Sequence, residues 1–245
     1  MNKLSSETRD LIAFAVKYCN LLKIDSLLID KTGIRAKQDE FAVYLIEPGD
    51  FSFLEFDTLF IDRITSLAPR VKMFETSKID YSFLVETKEL DNDELLVRQL
   101  VIKGGNTKIN FNCANPARLN KNSLPKKVND KMVYEFNMDK QCLDVLNRGV
   151  SAMGAEEIKL YSENDQVFAE VKDIEGDVLN QLVNSSYKTL IDDAENSFSF
   201  KYKFKMIVPL LREACKNDEF SIVISHRGIM KLNINELSMY IFPEL

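Results

Sequence analysis

One local pattern occurs twice in this 245-residue chain. Phe51-Ser52-Phe53 opens one stretch and Phe198-Ser199-Phe200 opens another, 147 positions later. Alternating residues follow each, then a segment with helical spacing, at 57–68 and 206–215. A second echo lies upstream. An amphipathic helix predicted over 5–22 leads into 24–30, and another over 139–153 leads into 158–161, at an offset near 134. Recurrence of one unit (helix, strands, Phe-Ser-Phe, strand, helix, strands) predicts two similar domains. Each would pack two helices on one face of an antiparallel sheet, an α+β architecture. Such a chain directs the search for function to symmetry and surfaces, and away from a catalytic pocket.

The first helix puts Thr8, Leu11, Ile12, Ala15, Cys19 and Leu22 on one face, with Ser5 or Ser6 as cap and Arg9, Ala13 and Lys17 opposite. Strands are predicted over 24–30, 33–38, 41–47 and 51–56, a helix over 57–68, then strands over 70–76, 79–86, 95–103 and 108–112. Residues 113–131, rich in Asn, Pro and Lys, break the rhythm and read as a connector between domains 1–112 and 132–245. The second domain repeats the order. A strand over 132–138 precedes the 139–153 helix, and strands over 157–161 and 167–173 and a pairing segment near 182–191 follow it. A strand over 198–204, a helix over 206–216 and strands over 220–225, 229–234 and 237–242 close the chain.

Composition narrows the function classes. Hydrophobic content of 45% and charged content of 29% are those of a globular protein, and no apolar run reaches the roughly 18–20 residues of a membrane helix. The first residues contain no apolar signal segment, so a cytoplasmic setting is expected. Cys19, Cys113, Cys142 and Cys215 show no CxxC spacing, and His226 is the single histidine. Neither a metal site nor a cofactor is expected, and the cysteines read as free thiols. Phosphate-loop, GxSxG and HExxH patterns are absent. His226 falls in a turn, and Asp91, Asp93 and Glu94 read as a solvated turn.

Net charge is −6, from 32 basic and 38 acidic residues, which by itself argues against nucleic acid. The distribution matters more. Arg9 and Lys17 on the first helix, Lys140 and Arg148 on the third, and Lys205, Arg212 and Lys216 on the fourth all lie opposite apolar stripes. Any surface helix turns basic residues to water, and Asp144 interrupts the third face. The second helix offers only Arg63, beside Asp62. Phosphate contact nevertheless needs only charge and reach, so these faces suit sequence-independent contact with duplex DNA.

Several segments then resemble, in order, the sliding clamps of DNA replication. Phe198-Ser199-Phe200-Lys201-Tyr202, a helix, two strands and Tyr240-Ile241-Phe242-Pro243-Glu244 are similar to the closing segment of PCNA. Lys3-Leu4-Ser5 before the first helix, 51–56 before the second, and Glu195-Asn196-Ser197-Phe198 resemble the T-even phage clamp. The resemblance implies a non-enzymatic DNA-clamp fold and a homotrimeric ring of six domains. Helices would line the hole, and the partners would be duplex DNA, a DNA polymerase and an ATP-driven clamp loader, in the host cytoplasm if the protein is viral. It implies a partner-peptide pocket at Val43, Leu119, Leu124, Tyr240, Phe242 and Pro243. It also implies a subunit interface between the strand carrying Lys108, Ile109, Asn110 and Phe111 and a segment carrying Tyr187 and Lys188. A clamp-like subunit of a hetero-oligomeric ring, a virion structural protein and a β-rich hydrolase with dispersed carboxylates remain alternatives.

Overall fold

The computed structural model describes residues 1–38, 43–48, 50–90, 93–118, 128–192, 197–217, 219–234 and 237–243. Of these, 37, 38, 43–48, 205, 206, 217, 219, 234 and 237 are described by backbone alone. The chain forms two compact units, Met1–Gln38 with Leu45–Lys127, and Asp39–Tyr44 with Val128–Leu245.

The first unit begins with β1 (Asn2–Lys3), α1 (Ser6–Leu21), β2 (Leu27–Asp30) and β3 (Gly33–Gln38). After β4 (Val43–Pro48) come β5 (Thr58–Ile61), α2 (Ile64–Thr76), β6 (Ser82–Glu89), β7 (Leu95–Gly104) and β8 (Thr107–Asn112). Ser5 caps α1, its side chain accepting the Thr8 N–H at 3.1 Å. The buried face of α1 is broader than the spacing predicted. It includes Ala13, expected outward, together with Val16 and Tyr18.

The second unit runs β9 (Met132–Asp139), α3 (Lys140–Met153), β10 (Glu157–Glu163), β11 (Gln166–Lys172), β12 (Val178–Asn184) and β13 (Lys188–Thr189). It ends with β14 (Ser199–Lys203), α4 (Phe204–Ala214), β15 (Glu219–Ser225), β16 (Met230–Ile234) and β17 (Leu237–Ile241). Asp139 caps α3 by accepting the Cys142 N–H at 2.6 Å, and Gly154, at φ 62, ends it in the left-handed conformation that favours glycine.

Strand pairing repeats between the units. The order β1-β6-β7-β8 in the first matches β9-β15-β16-β17 in the second, and β5-β2-β3 matches β14-β10-β11. Among the described residues the ladders are antiparallel except for one parallel bridge, Thr58 with Leu96, which joins the two strand groups of the first unit into one sheet. In the second unit the corresponding groups stay separate, and β12-β11-β10-β14 is a four-stranded sheet. β13 adds to the free side of β9, with Lys188 opposite Glu135.

The region after the first Phe-Ser-Phe differs from the sequence expectation. Residues 51–56 are not a strand. The Leu54 N–H bonds Phe51 O at 3.0 Å, and the Asp50 carboxylate accepts the Ser52 N–H at 3.0 Å, so a turn forms there. The strand lies later, at β5, where all four residues are buried. The helix also moves, from 57–68 to Ile64–Thr76, which abolishes the strand expected over 70–76. Ile64, Leu67, Ala68, Val71 and Phe74 form its buried stripe, continuing at helical spacing past Pro69, a residue that ordinarily ends a helix. The two Phe-Ser-Phe copies are therefore not equivalent, since only Ser199-Phe200 belongs to a strand. The true counterparts are β5 with β14 and α2 with α4. In the second unit, pairing expected near 182–191 resolves into β12 and the short β13.

Candidate nucleic-acid interface and free strand edges

Helix caps and apolar stripes fix which side chains each helix leaves in water. Lys17, Lys140, Arg148, Arg212 and Lys216 are exposed, as the stripes predicted. Lys216, expected on the fourth helix, lies just past its end in a 3-10 turn over Cys215–Asn217 and is held by Glu213 at 2.5 Å. Arg9 is different. Its guanidinium bonds Asp10 at 2.7 Å, approaches Asp80 at 3.6 Å, donates to Tyr81 O at 3.0 Å and lies 5.6 Å from the Tyr81 ring centre. The Asp10 hydrogen bond raises its pKa further, so it is a fixed positive charge whose reach is taken up within its own unit. The side chain of Lys205 lies outside the described residues. Between α3 and α4 a cleft of about 350 Å³ is lined by Asn147, Val150, Ser151, Pro209 and Arg212, which puts a guanidinium beside an apolar floor.

The shift of α2 brings in residues that the sequence reading missed. Arg70 and Lys72, expected in a strand, are helical, and Lys72 is exposed. The i, i+3, i+4, i+7 pattern from Ile64 to Phe74 was the available signal. Arg63 and Arg70 converge on one ring. Their guanidinium carbons lie 5.1 and 5.6 Å from the centre of Phe111, and Arg63 Nη2 donates to Asn112 O at 3.0 Å.

Of the strands paired on one side only among the described residues (β1, β8, β12, β13 and β14), β8 and β12 are the longest. β8 bonds only β7, and β12 bonds only β11. Along β8, Lys108 and Asn110 are exposed and Ile109 half-buried, whereas Phe111 is 1% exposed. Phe111 therefore offers only its backbone along this edge, because its ring is core beneath the two arginines. On β12, Val178 and Leu182 are 48% and 43% exposed. Tyr187 and Lys188 do not lie on that edge. Tyr187 packs against Tyr134 and Phe198, and Lys188 is paired to β9.

At the chain's end, β17 alternates. Met239 and Ile241 are buried, while Tyr240, Phe242 and Pro243 are half-exposed, with Lys231 Nζ 5.9 Å from the Tyr240 ring centre. Strand periodicity thus leaves these aromatics partly in water. Val43 is placed by backbone only, and Leu119 and Leu124 lie outside the described residues.

His226 is exposed on its turn, and the described residues contain no group of three or more metal-ligating side chains. Burial pushes the Cys113 and Cys142 thiols up to about 12 and Cys215 up to about 11. No helix among the described residues is long and apolar enough to cross a membrane.

The fold defined by these elements is that of the DNA sliding clamps. The structure of Proliferating Cellular Nuclear Antigen from Entamoeba histolytica matches with a TM-score of 0.65 at 13% identity, over 95% of this chain and 96% of that one. PCNA of A. fulgidus, solved with the C-terminal region of FEN-1 bound, matches with a TM-score of 0.60 at 15% identity, over 95% and 94%. The C. crescentus beta sliding clamp matches with a TM-score of 0.64 at 11% identity, over 90% of this chain but 58% of that one. No family model and no curated protein matches the sequence.

Proposed function

We propose that this protein is a sliding clamp that encircles duplex DNA as a homotrimer and tethers a DNA polymerase, without enzymatic activity of its own. The observation that carries the reading is the end-to-end match of both units to PCNA, at 95% and 96% coverage. Each unit also carries one strand edge suited to a neighbour. Head-to-tail contacts that close on themselves make rings, and pairing β8 of one copy with β12 of the next would hide both edges. Lys17, Lys140, Arg148, Arg212 and Lys216 would meet phosphates inside the ring, joined by Lys72, with Lys205 as a further contact and Arg9 as background charge. A ring held on by topology needs only such weak contacts, and these allow it to slide. Residues 113–131 would act as the connector. Partner tails would dock at the exposed end of β17, on Tyr240, Phe242 and Pro243, and an ATP-driven loader would open the ring.

Two measurements test this. Light scattering across a concentration series is expected to give three times 28.2 kDa, falling on dilution. A monomer at every concentration would refute the homotrimer. Replacing Lys17, Arg148 and Arg212 together by Glu should leave that mass intact. The slope of log affinity for a short random-sequence duplex against log salt should become shallower by roughly three. An unchanged slope would remove these residues from the DNA face.

A further inference from the structure

We infer that the joint between copies is ion-paired, with Arg63 and Arg70 beside β8 of one copy receiving Glu175 and Asp177 beside β12 of the next. The inference rests on the ring reading above and specifies its chemistry. On the β8 side, the two guanidiniums meet over Phe111, whose buried ring holds them at the strand's Phe111-Asn112 end. Arg63 is 3.5 Å from Asp62, a long pair, and no acidic partner of Arg70 is found among the described residues. The site therefore presents more positive charge than its own unit neutralises.

The β12 side is the reverse. The turn over 173–177 is pinned by one carboxylate: Asp173 Oδ1 accepts the N–H groups of Glu175, Gly176 and Asp177 at 2.9, 2.7 and 2.8 Å. Gly176, at φ 98, allows the reversal. Glu175 and Asp177 are left exposed, with no basic partner among the described residues, and Ile174 between Asp173 and Glu175 is fully exposed. A preformed turn presenting two carboxylates loses little entropy on docking.

Strand direction brings the two charges together. If β12 extends β8 antiparallel, as β8 already pairs with β7 and β12 with β11, its first residue, Val178, falls opposite Phe111-Asn112. The turn immediately before Val178 then reaches Arg63 and Arg70. The exposed Val178 and Leu182 are covered by the same contact, so the joint combines an apolar edge with an ionic rim.

The test uses the full chain and reads association by sedimentation at moderate salt. Arg63→Glu with Arg70→Glu should weaken self-association on the order of tenfold or more, and so should Glu175→Lys with Asp177→Lys. Combining all four restores opposite charges, and most of the lost association should return. Because Arg63 also bonds Asn112 O, Arg70→Glu alone serves as the variant least prone to disturb the fold. Recovery in the fourfold variant supports the pairing. Unchanged association in both doubles, or no recovery in the fourfold variant, overturns it and leaves the ring reading standing. Weaker duplex binding with unchanged association would assign the arginines to phosphate and also overturn it. A wild-type monomer at every concentration overturns the ring reading itself, and the pairing with it.

Discussion

Glu55 caps helix α1 from 50 positions away: Oε1 accepts the Ser5 N–H at 2.7 Å while Oε2 accepts the Thr8 hydroxyl at 2.7 Å. In a capping box, the acid stands at the third helical position and reaches back to the cap residue. Here that position is Thr8, and the carboxylate comes from the turn that follows Phe53. The start of α1 is therefore tied to the segment the sequence misassigned as a strand.

This tie makes α1 sensitive to acid. Burial works to raise the Glu55 carboxyl, but the Ser5 and Thr8 hydrogen bonds outweigh it and hold the group below its ordinary 4.5. A depressed folded value means that the contribution is complete above the ordinary value and is lost as pH falls through the lower one. Glu55→Gln should cost about 1 kcal/mol near neutral pH. Urea unfolding at several pH values should show the gap to wild type closing below pH 4.5. A gap that stays constant into acid would mean the charge on Glu55 contributes nothing.

Gly228 faces the second Phe-Ser-Phe. Its φ is 82, and an added Cβ would lie 2.3 Å from Phe200 Cδ1. Its carbonyl also accepts the buried Tyr202 hydroxyl at 2.7 Å. Gly228→Ala should lower stability by about 2–3 kcal/mol, through backbone strain and ring displacement together. Tyr202→Phe should cost about 1–2 kcal/mol, because it leaves that buried carbonyl without its donor. Thermal unfolding checks both; a loss under half a kilocalorie for Gly228→Ala would show that the ring simply moves aside.

Ser225 is wholly buried, accepts the Ile229 N–H at 2.8 Å and donates to Asp130 at 2.6 Å. Its hydroxyl closes the β15–β16 turn and ties it to the chain entering β9. Ser225→Ala strands a buried N–H and should cost about 1–3 kcal/mol. Ser225→Thr keeps the hydroxyl and should recover part of that loss in denaturant titration unless the extra methyl is not accommodated.

The four thiols should be slow to react in the native state. Burial raises each of them, with Cys113 and Cys142 pushed to about 12 and Cys215 to about 11, so thiolate is scarce at mildly alkaline pH. Titration with an aromatic disulfide reagent should proceed slowly on the folded protein, with Cys113 (the most accessible of the four) reacting first, and rapidly in denaturant. Fast native labelling of Cys19 or Cys142 would contradict the packing of their helices.

Local physics was enough to read α1 and α3 from sequence. Ser5 and Asp139 are caps whose partners lie three residues away, and the stripes through Ile12, Ala15 and Cys19 and through Cys142, Leu146 and Val150 repeat at helical spacing. The exposure of Lys17, Arg148 and Arg212 follows from the same periodicity, whereas the two Phe-Ser-Phe copies that suggested a duplication are not equivalent in structure. Short apolar runs carry no such information. Thr58–Ile61 reads equally as strand or buried helix, and only its placement between β2 and β7 decided it. The convergence of Arg63 and Arg70 on Phe111 and the remote cap by Glu55 join residues far apart in the chain, and the one-sided pairing of β8 and β12 depends on strands brought from elsewhere. Periodicity fixes which way a side chain points within its own element, whereas burial and strand pairing depend on what else arrives, and that is settled only when the chain closes on itself.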